Sequence, residues 1–254
     1  MKDPGDPRLL DFGERKDALL RQQNRMIVDS DKVVLRMMAK GHYPSRLLAT
    51  ERFVALLDKQ KIKLPRETEL FLGERPVLES IVGHRLHHGV VAIAGRPRDV
   101  AIEELGPRIV LLNGVGSAEN VGAIARSCHA FGFTALVADE VSCSPYVRRS
   151  IRVSMGSLFC LNIHHTPSCL LLIEKLRAAG YGIYGSGKRN GSVSAKGFKP
   201  KEKFVLILGS EGDGMEPSVI EQTDTMLEIP VHPGIDSLNV AVASGVLLYE
   251  LGKI

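Results

Sequence analysis

Apolar residues along the chain fall into two patterns that keep changing places: short continuous runs bounded by glycine, proline or charge, and longer stretches in which they recur every third or fourth position. The first pattern fits strands buried on both faces, the second amphipathic helices. From Asp31, the sequence Val33-Val34-Leu35-Arg36-Met37-Met38-Ala39-Lys40 predicts a helix stopped by Gly41, and Arg46-Leu47-Leu48-Ala49 a short strand. Glu51 to Lys59 reads as helix, Glu69-Leu70-Phe71-Leu72 as extended, Pro76 to Val82 as a helix with Gly83 behind it, and Val90-Val91-Ala92-Ile93-Ala94 as a buried strand. The same alternation repeats on a larger scale after residue 107. Strands are expected at Ile109 to Leu112, Ala135 to Ala138, Phe159 to Ile163, Gly182 to Tyr184, Phe204 to Leu208 and Met226 to Ile229. Helices are expected at Ser117 to Phe131, Pro145 to Met155, Ser168 to Ala179 and Leu238 to Leu251. Strand and helix taking turns predicts an α/β protein with a mostly parallel sheet covered on both faces.

At 254 residues the chain has room for one large or two modest domains. The turn-rich, charged stretch 96–107 is the natural linker, which gives an N-terminal extension at 1–30, a small α/β domain at 31–95 and a larger α/β domain at 108–254. The extension mixes proline, glycine and charge and drifts into a loosely attached helix near Lys16-Asp17-Ala18-Leu19-Leu20. No apolar run approaches the about 18 residues that cross a bilayer, and the start lacks the apolar core of a secretory signal, so a cytoplasmic protein is expected, with no membrane partner. The four cysteines form no C-x-x-C pair and read as free thiols. A net charge of +4 admits an acidic partner such as RNA without demonstrating one. Residues 1–107 carry 19 of the 33 basic and 16 of the 29 acidic residues, so the basic excess leans to the first half.

In parallel α/β domains ligands bind at the carboxyl ends of strands, which singles out three loops. Asn113-Gly114-Val115-Gly116-Ser117-Ala118-Glu119-Asn120 leads from a strand into a helix bearing Arg126. Taken alone, it reads as an N-cap and a surface arginine. Gly209-Ser210-Glu211-Gly212-Asp213-Gly214-Met215 offers backbone N–H groups and a carboxylate but lacks the lysine of a phosphate-binding loop. Taken alone, it reads as a plain glycine-rich turn. Ile229-Pro230-Val231-His232-Pro233-Gly234-Ile235-Asp236-Ser237-Leu238-Asn239 ends a strand and opens a helix at capping residues Ser237 and Asn239. That helix combines small Ala241, Ala243 and Gly245 with Val240, Val242, Val246, Leu247 and Leu248, so close packing against its own sheet or a second subunit is expected. His84, His87 and His88, and His164-His165, have no ligand-like spacing and read as surface histidines, so no metal is expected. Arg148, Arg149 and Arg152, with Lys199, Lys201 and Lys203, fit phosphate contacts or a solvated face.

Asn120-Val121-Gly122-Ala123-Ile124-Ala125-Arg126, then Leu208-Gly209-Ser210-Glu211-Gly212, then Ile229-Pro230 with Ser237-Leu238-Asn239-Val240-Ala241, together resemble the three motifs of the SpoU (TrmH-like) RNA 2′-O-ribose methyltransferases of the SPOUT class. The resemblance covers about residues 108–254. Residues 31–95, ending in His87-His88-Gly89-Val90-Val91-Ala92, are similar to the small substrate-binding domain that many members carry in front, with His88 where glutamine is frequent. The resemblance implies a trefoil-knotted sheet, a homodimer, S-adenosylmethionine as cofactor and rRNA or tRNA as substrate. It implies that Gly209, Ile229, Pro230 and Leu238 hold the cofactor, with Ser186 and Gly187 in the loop that closes over it. Asn120, Glu211, Ser237 and Asn239 would shape the transfer site and Arg126 would be central to catalysis. Because a guanidinium stays protonated, Arg126 is expected to bind the neighbouring phosphate and polarise the hydroxyl, with Glu211 the rival proton acceptor. A non-catalytic RNA-binding or ribosome-assembly protein on the same fold would be expected to lose Arg126 or Asn239, and both are present. A dinucleotide-binding oxidoreductase would need G-x-G-x-x-G after its first strand, and Glu119 stands where the third glycine should be.

Overall fold

The first half of the chain folds around strands β1 (Arg25–Asp29), β2 (Pro44–Ala49), β3 (Glu69–Leu72) and β4 (Val90–Gly95), in the sheet order β1-β4-β2-β3. In this computed structural model residues 6–13, 17–86, 89–235 and 237–252 are described. Strand β4 runs antiparallel to β1 and β2, whereas β2 and β3 are parallel. Helices α1 (Asp17–Gln22), α2 (Asp31–Ala39), α3 (Glu51–Lys59) and α4 (Arg75–Val82) accompany the sheet. α2 and α4 follow the expected spans to within two residues.

The chain clusters into two units, Met1–Pro97 with Tyr146–Phe159, and Arg98–Pro145 with Cys160–Ile254. Two features of the first unit differ from the sequence expectation. Leu9, Phe12 and Leu20 are fully buried against Ile27, Leu48 and Leu78, so described residues of the expected extension are core. Strand β1 escaped notice because Met26-Ile27-Val28 is a run of three between charged residues, too short to carry a period. The second difference is residues 146–159. They follow Pro145 of the other unit in sequence, yet Arg148 lies nine-tenths buried in the first unit with Nε and Nη2 donating to Asp29 at 2.7 and 2.8 Å. Arg36 donates to the Met155 carbonyl at 3.0 Å. Arg148 is therefore an internal ion-pair partner rather than a phosphate contact.

In the second unit come β5 (Arg108–Asn113), α5 (Ala118–Ala130) and β6 (Ala135–Asp139). Helix α6 (Arg148–Val153), which belongs to the first unit, precedes β7 (Asn162–Thr166), α7 (Cys169–Ala178), β8 (Gly182–Ser186), β9 (Val193–Ser194) and β10 (Phe204–Gly209). α8 (Pro217–Glu221), β11 (Thr225–Glu228) and α9 (Val240–Leu251) complete the order. The seven strands lie in the order β7-β6-β5-β10-β8-β11-β9, and every pairing is parallel. The expected α/β class with a parallel sheet is thus present, with β9 and α8 added. The strand expected at Phe159 starts instead at Asn162, because Ser157–Cys160 forms a 3-10 turn. The expected linker is largely core of this unit: Leu105 is fully buried with Ile109, Ala135 and Ile173, and the Val100 N–H donates to the Ile163 carbonyl at 3.0 Å.

His164 and His165 are half-buried on edge strand β7. The His164 ring meets the Val100 carbonyl at 2.9 Å, and His165 Nδ1 meets Asp99 at 3.0 Å, so these histidines hold residues 99–100 to the sheet edge. His87 and His88 lie outside the described residues. Among the described residues no group of three or more histidine, cysteine or carboxylate side chains could hold a metal, and no helix is long and apolar enough to cross a membrane.

Replacing Asp29 with Ala strands a buried guanidinium, and breaking such a pair from one side costs about 3–5 kcal/mol. Urea denaturation should show an Asp29→Ala loss of that size. A loss under about 1 kcal/mol, the range of exposed pairs, would contradict the burial of this one.

Candidate active site

The parallel register of β5 with β10 sets Leu112 beside Leu208 and Asn113 beside Gly209, so the loops leaving both strands emerge side by side. Strand β8 flanks β10 on its other side and β11 flanks β8, which brings two further strand ends to the same edge. Here a cavity of about 400 Å³ opens, within the usual range for small-molecule sites. Gly209 to Met215 form one wall, Ser186 to Arg189 another, and Leu227 to Ile229 with Val231, Ser237 and Leu238 much of the rest.

Glycine is dictated at one place on these walls. A Cβ on Gly209 would stand on the backbone of Gly214 and Met215. The backbone of β10 and the loop that folds back on it can approach this closely only without a side chain. The Ser210 N–H closes that loop on the Gly214 carbonyl at 2.9 Å.

Three side chains from the three loops meet at one point. Asn120, in the first turn of α5, donates Nδ2 to Glu211 Oε1 at 2.9 Å. Asn239 donates its Nδ2 to Asn120 Oδ1 at 3.2 Å and also to Glu211 Oε1. The Asn239 Oδ1 accepts the Ala241 and Val242 N–H groups at 2.9 and 3.3 Å and so caps α9. Each element puts its residue there for a local reason: Ser117 caps α5, the glycine turn exposes Glu211, and Asn239 ends an irregular segment with an N-cap. Glu211 Oε2 takes no hydrogen bond among the described residues, which leaves one carboxylate oxygen free to receive a donor.

The other expected residues divide. Ser186, Gly187, Gly209, Glu211, Ile229, Ser237 and Leu238 line the cavity. Pro230 is exposed and absent from the lining, although its neighbours Ile229 and Val231 are part of it. Arg126 is exposed on α5, away from the lining, and makes no hydrogen bond or ion pair among the described residues. Met215, the end of the expected glycine-rich loop, also lines the cavity, whereas sequence reasoning missed Lys188, Arg189 and Met226 as wall residues. The two basic residues directly follow Ser186-Gly187 at the end of β8, and that adjacency was the available signal. Cys169, on α7 near β6, is pushed up to about 12 by burial and by the Asp139 carboxylate, so it remains a thiol and no nucleophile.

The sequence profile of the SpoU rRNA Methylase family matches residues 107–249, more than half of the chain, and the chain belongs to that family. An uncharacterized tRNA/rRNA methyltransferase of Mycobacterium tuberculosis is 29% identical, over 98% of this chain and 89% of the relative. The 23S rRNA (guanosine-2′-O-)-methyltransferase RlmB of Xanthomonas campestris is 32% identical over 68% of this chain and 73% of its own length. Among solved structures, the AdoMet-bound rRNA methyltransferase of Sinorhizobium meliloti superposes with a TM-score of 0.84 at 22% identity, covering 98% of this chain and 95% of that one. The SpoU methyltransferase AviRb of Streptomyces viridochromogenes, in complex with AdoMet, gives 0.79 at 23% identity over 96% and 97%. At these identities the two structures establish the shared fold.

Asn239 works both as cap and as cluster member, and two substitutions separate these roles. Asn239→Ala loses the cap and should lower stability by about 1 kcal/mol in thermal or urea unfolding. Asn239→Asp keeps the cap acceptor but sets a second carboxylate against Glu211, so it should retain the helix while dispersing the cluster. Equal stability of the alanine variant and the parent would contradict the capping geometry.

Proposed function

We propose that this chain is an S-adenosylmethionine-dependent methyltransferase acting on a ribose 2′-hydroxyl of rRNA or tRNA, and that it works as a homodimer. The observation that carries the reading is the convergence of Asn120, Glu211 and Asn239 at the rim of a glycine-walled cavity. The wall chemistry fits the cofactor. Apolar Ile229, Leu238 and Leu247 suit a flat base, backbone at Gly209 and Gly187 suits its polar edge, Glu211 and Asp213 suit a cationic sulfur, and Lys188 and Arg189 suit a carboxylate. The bound cofactor would supply an electrophilic methyl group on sulfonium.

The chain's own residues then have to place the hydroxyl and take its proton. Orientation of two bound reactants can supply about 7–11 kcal/mol of such a barrier. Asn120 and Asn239 fix Glu211 through Oε1, so its free oxygen is available to accept the hydroxyl proton. Arg126 keeps the phosphate-binding role, since its exposed guanidinium has no partner among the described residues. The knotted chain path implied by the family belongs to the same reading. A purely RNA-binding protein would have no use for this cluster.

In the first unit, Arg36 and Arg46 are engaged by protein groups, leaving exposed Lys40, Arg52, Lys59, Lys61 and Lys63 as the RNA-facing cations of this proposal. The reading is tested by incubating the protein with labelled S-adenosylmethionine and separated RNA classes, then mapping the modified nucleotide. Label absent from ribose in every class would refute it.

Two predictions follow from these assignments. Arg126→Ala should leave S-adenosylhomocysteine affinity within about twofold in calorimetry while reducing methyl transfer by at least about 100-fold, the scale of losing one stabilising group at a reacting centre. Appreciable turnover by the variant would remove Arg126 from a central role. The dimer rests on α9, where Val242, Val246 and Tyr249 stand 55%, 38% and 65% exposed at helical spacing, an exposed apolar stripe bordered by the Phe131 ring. Light scattering should give a dimer at micromolar concentration, and the double variant Val242→Glu/Tyr249→Glu a monomer. A monomeric parent would end the proposal.

A further inference from the structure

Next to the Asn120–Glu211–Asn239 cluster lies a polar group that no catalytic motif includes. Asp139 ends β6 and is 7% exposed, with no cationic partner among the described residues. A carboxylate buried in this way persists only if N–H donors replace the water it has lost. Its Oδ2 accepts Asn113 Nδ2 and the Gly114 N–H, both at 3.0 Å, and its Oδ1 accepts the Ser142 N–H at 2.7 Å. The Cys169 thiol, kept protonated by its surroundings, donates from 3.9 Å. Asn113, 2% exposed at the end of β5, turns its other face to the next loop, where Oδ1 accepts the Glu216 N–H at 2.8 Å.

The Gly114 and Glu216 bonds end on the two loops that serve the site. Gly114 begins the β5–α5 loop that delivers Asn120, Glu216 closes the β10–α8 loop that carries Glu211 and lines the cavity, and Ser142 belongs to the loop after β6. Ser142 Oγ in turn accepts the Val115 N–H at 2.9 Å, and the Cys143 N–H reaches the Val115 carbonyl at 2.9 Å. We propose that Asp139 and Asn113 are positioning residues: one buried carboxylate, relayed through one amide, sets the spacing between the Asn120 loop and the Glu211 loop. This inference rests on the functional reading above, and its primary test does not require RNA.

Calorimetry with S-adenosylhomocysteine, well below the melting temperature, compares the parent with Asp139→Asn and Asn113→Asp. Asp139→Asn turns one acceptor oxygen into an NH₂ facing an N–H donor, and its affinity should fall about tenfold although residue 139 is off the cavity wall. In Asn113→Asp two carboxylates stand about 3 Å apart and share one proton. Affinity should then be near that of the parent at low pH and fall about tenfold as the shared proton leaves, a step absent from the parent profile. Cys169 remains a thiol over this range, and the exposed Glu216 carboxylate, which also acts on Cys169, is present in the parent and so belongs to the parent profile. On RNA, both variants should lower kcat with KM for RNA unchanged.

If Asp139→Asn does not fold, the Asn113→Asp profile alone decides. Variants that melt earlier yet bind with parental affinity and a parental pH profile would overturn the positioning role and leave a merely structural one. A parent that binds S-adenosylhomocysteine but places no methyl on ribose would strike the functional reading while leaving the binding comparison valid. A parent that does not bind it at all would overturn both.

Discussion

The pairing of β10 with β5 is the constraint on which the rest of the site depends. These strands are separated by most of the second half of the sequence, yet they lie side by side in parallel with six residues in register. Parallel pairing forces both chains to leave the sheet at the same edge, so their loops have to share a small volume above Asn113 and Gly209. Gly209 exists because that volume admits no Cβ, and Glu211 reaches Asn120 because the loop folds tightly back on its own strand. Asn239 joins as the cap of a helix that packs close to α5, where Phe131 and Tyr249 meet edge to face at 5.8 Å.

The site combines rigid and open parts. Asn113 and Asp139 are buried and held by hydrogen bonds to one another and to loop N–H groups, whereas Glu211 stands at the surface with one oxygen left over. This division suits a site that has to keep its geometry while receiving a large polar partner. The internal bonds are shielded from salt and water, and the exposed groups can exchange water for substrate with little reorganisation.

Much of this was legible in the sequence and some was not, for identifiable reasons. The apolar runs from Ile109, Ala135 and Phe204 announced a buried parallel sheet, because a strand covered on both faces needs an uninterrupted apolar run. The three loops were legible because glycine and capping residues clustered after those runs. Strand β1 was invisible because its apolar run is too short, and the burial of Leu9, Phe12 and Leu20 because their separate positions form no period. The strand expected at Phe159 was misplaced because Leu158-Phe159 is apolar for a different purpose, burial in the first unit, while the true strand contains two histidines. Asp139 looked like the ordinary end of a strand, since a carboxylate's burial depends on donors from residues far along the chain. The same holds for Arg148, whose partner Asp29 lies over a hundred positions earlier.

That distance between Asp29 and Arg148 has a consequence for how the molecule is made. A chain emerges from the ribosome from its amino end, at about 5–20 residues per second. When Gly95 has been added, the first sheet has all its strands, but the helix that covers β1 and neutralises Asp29 has not yet been synthesised. It arrives roughly sixty residues later, about 3–12 s at that rate. During that interval the nascent unit carries an uncovered apolar seat for Ile151 and a carboxylate awaiting its arginine, so it can form but cannot close. Its last piece comes only after β5, α5 and β6 have been laid down, which makes the birth of the two units interleaved rather than sequential.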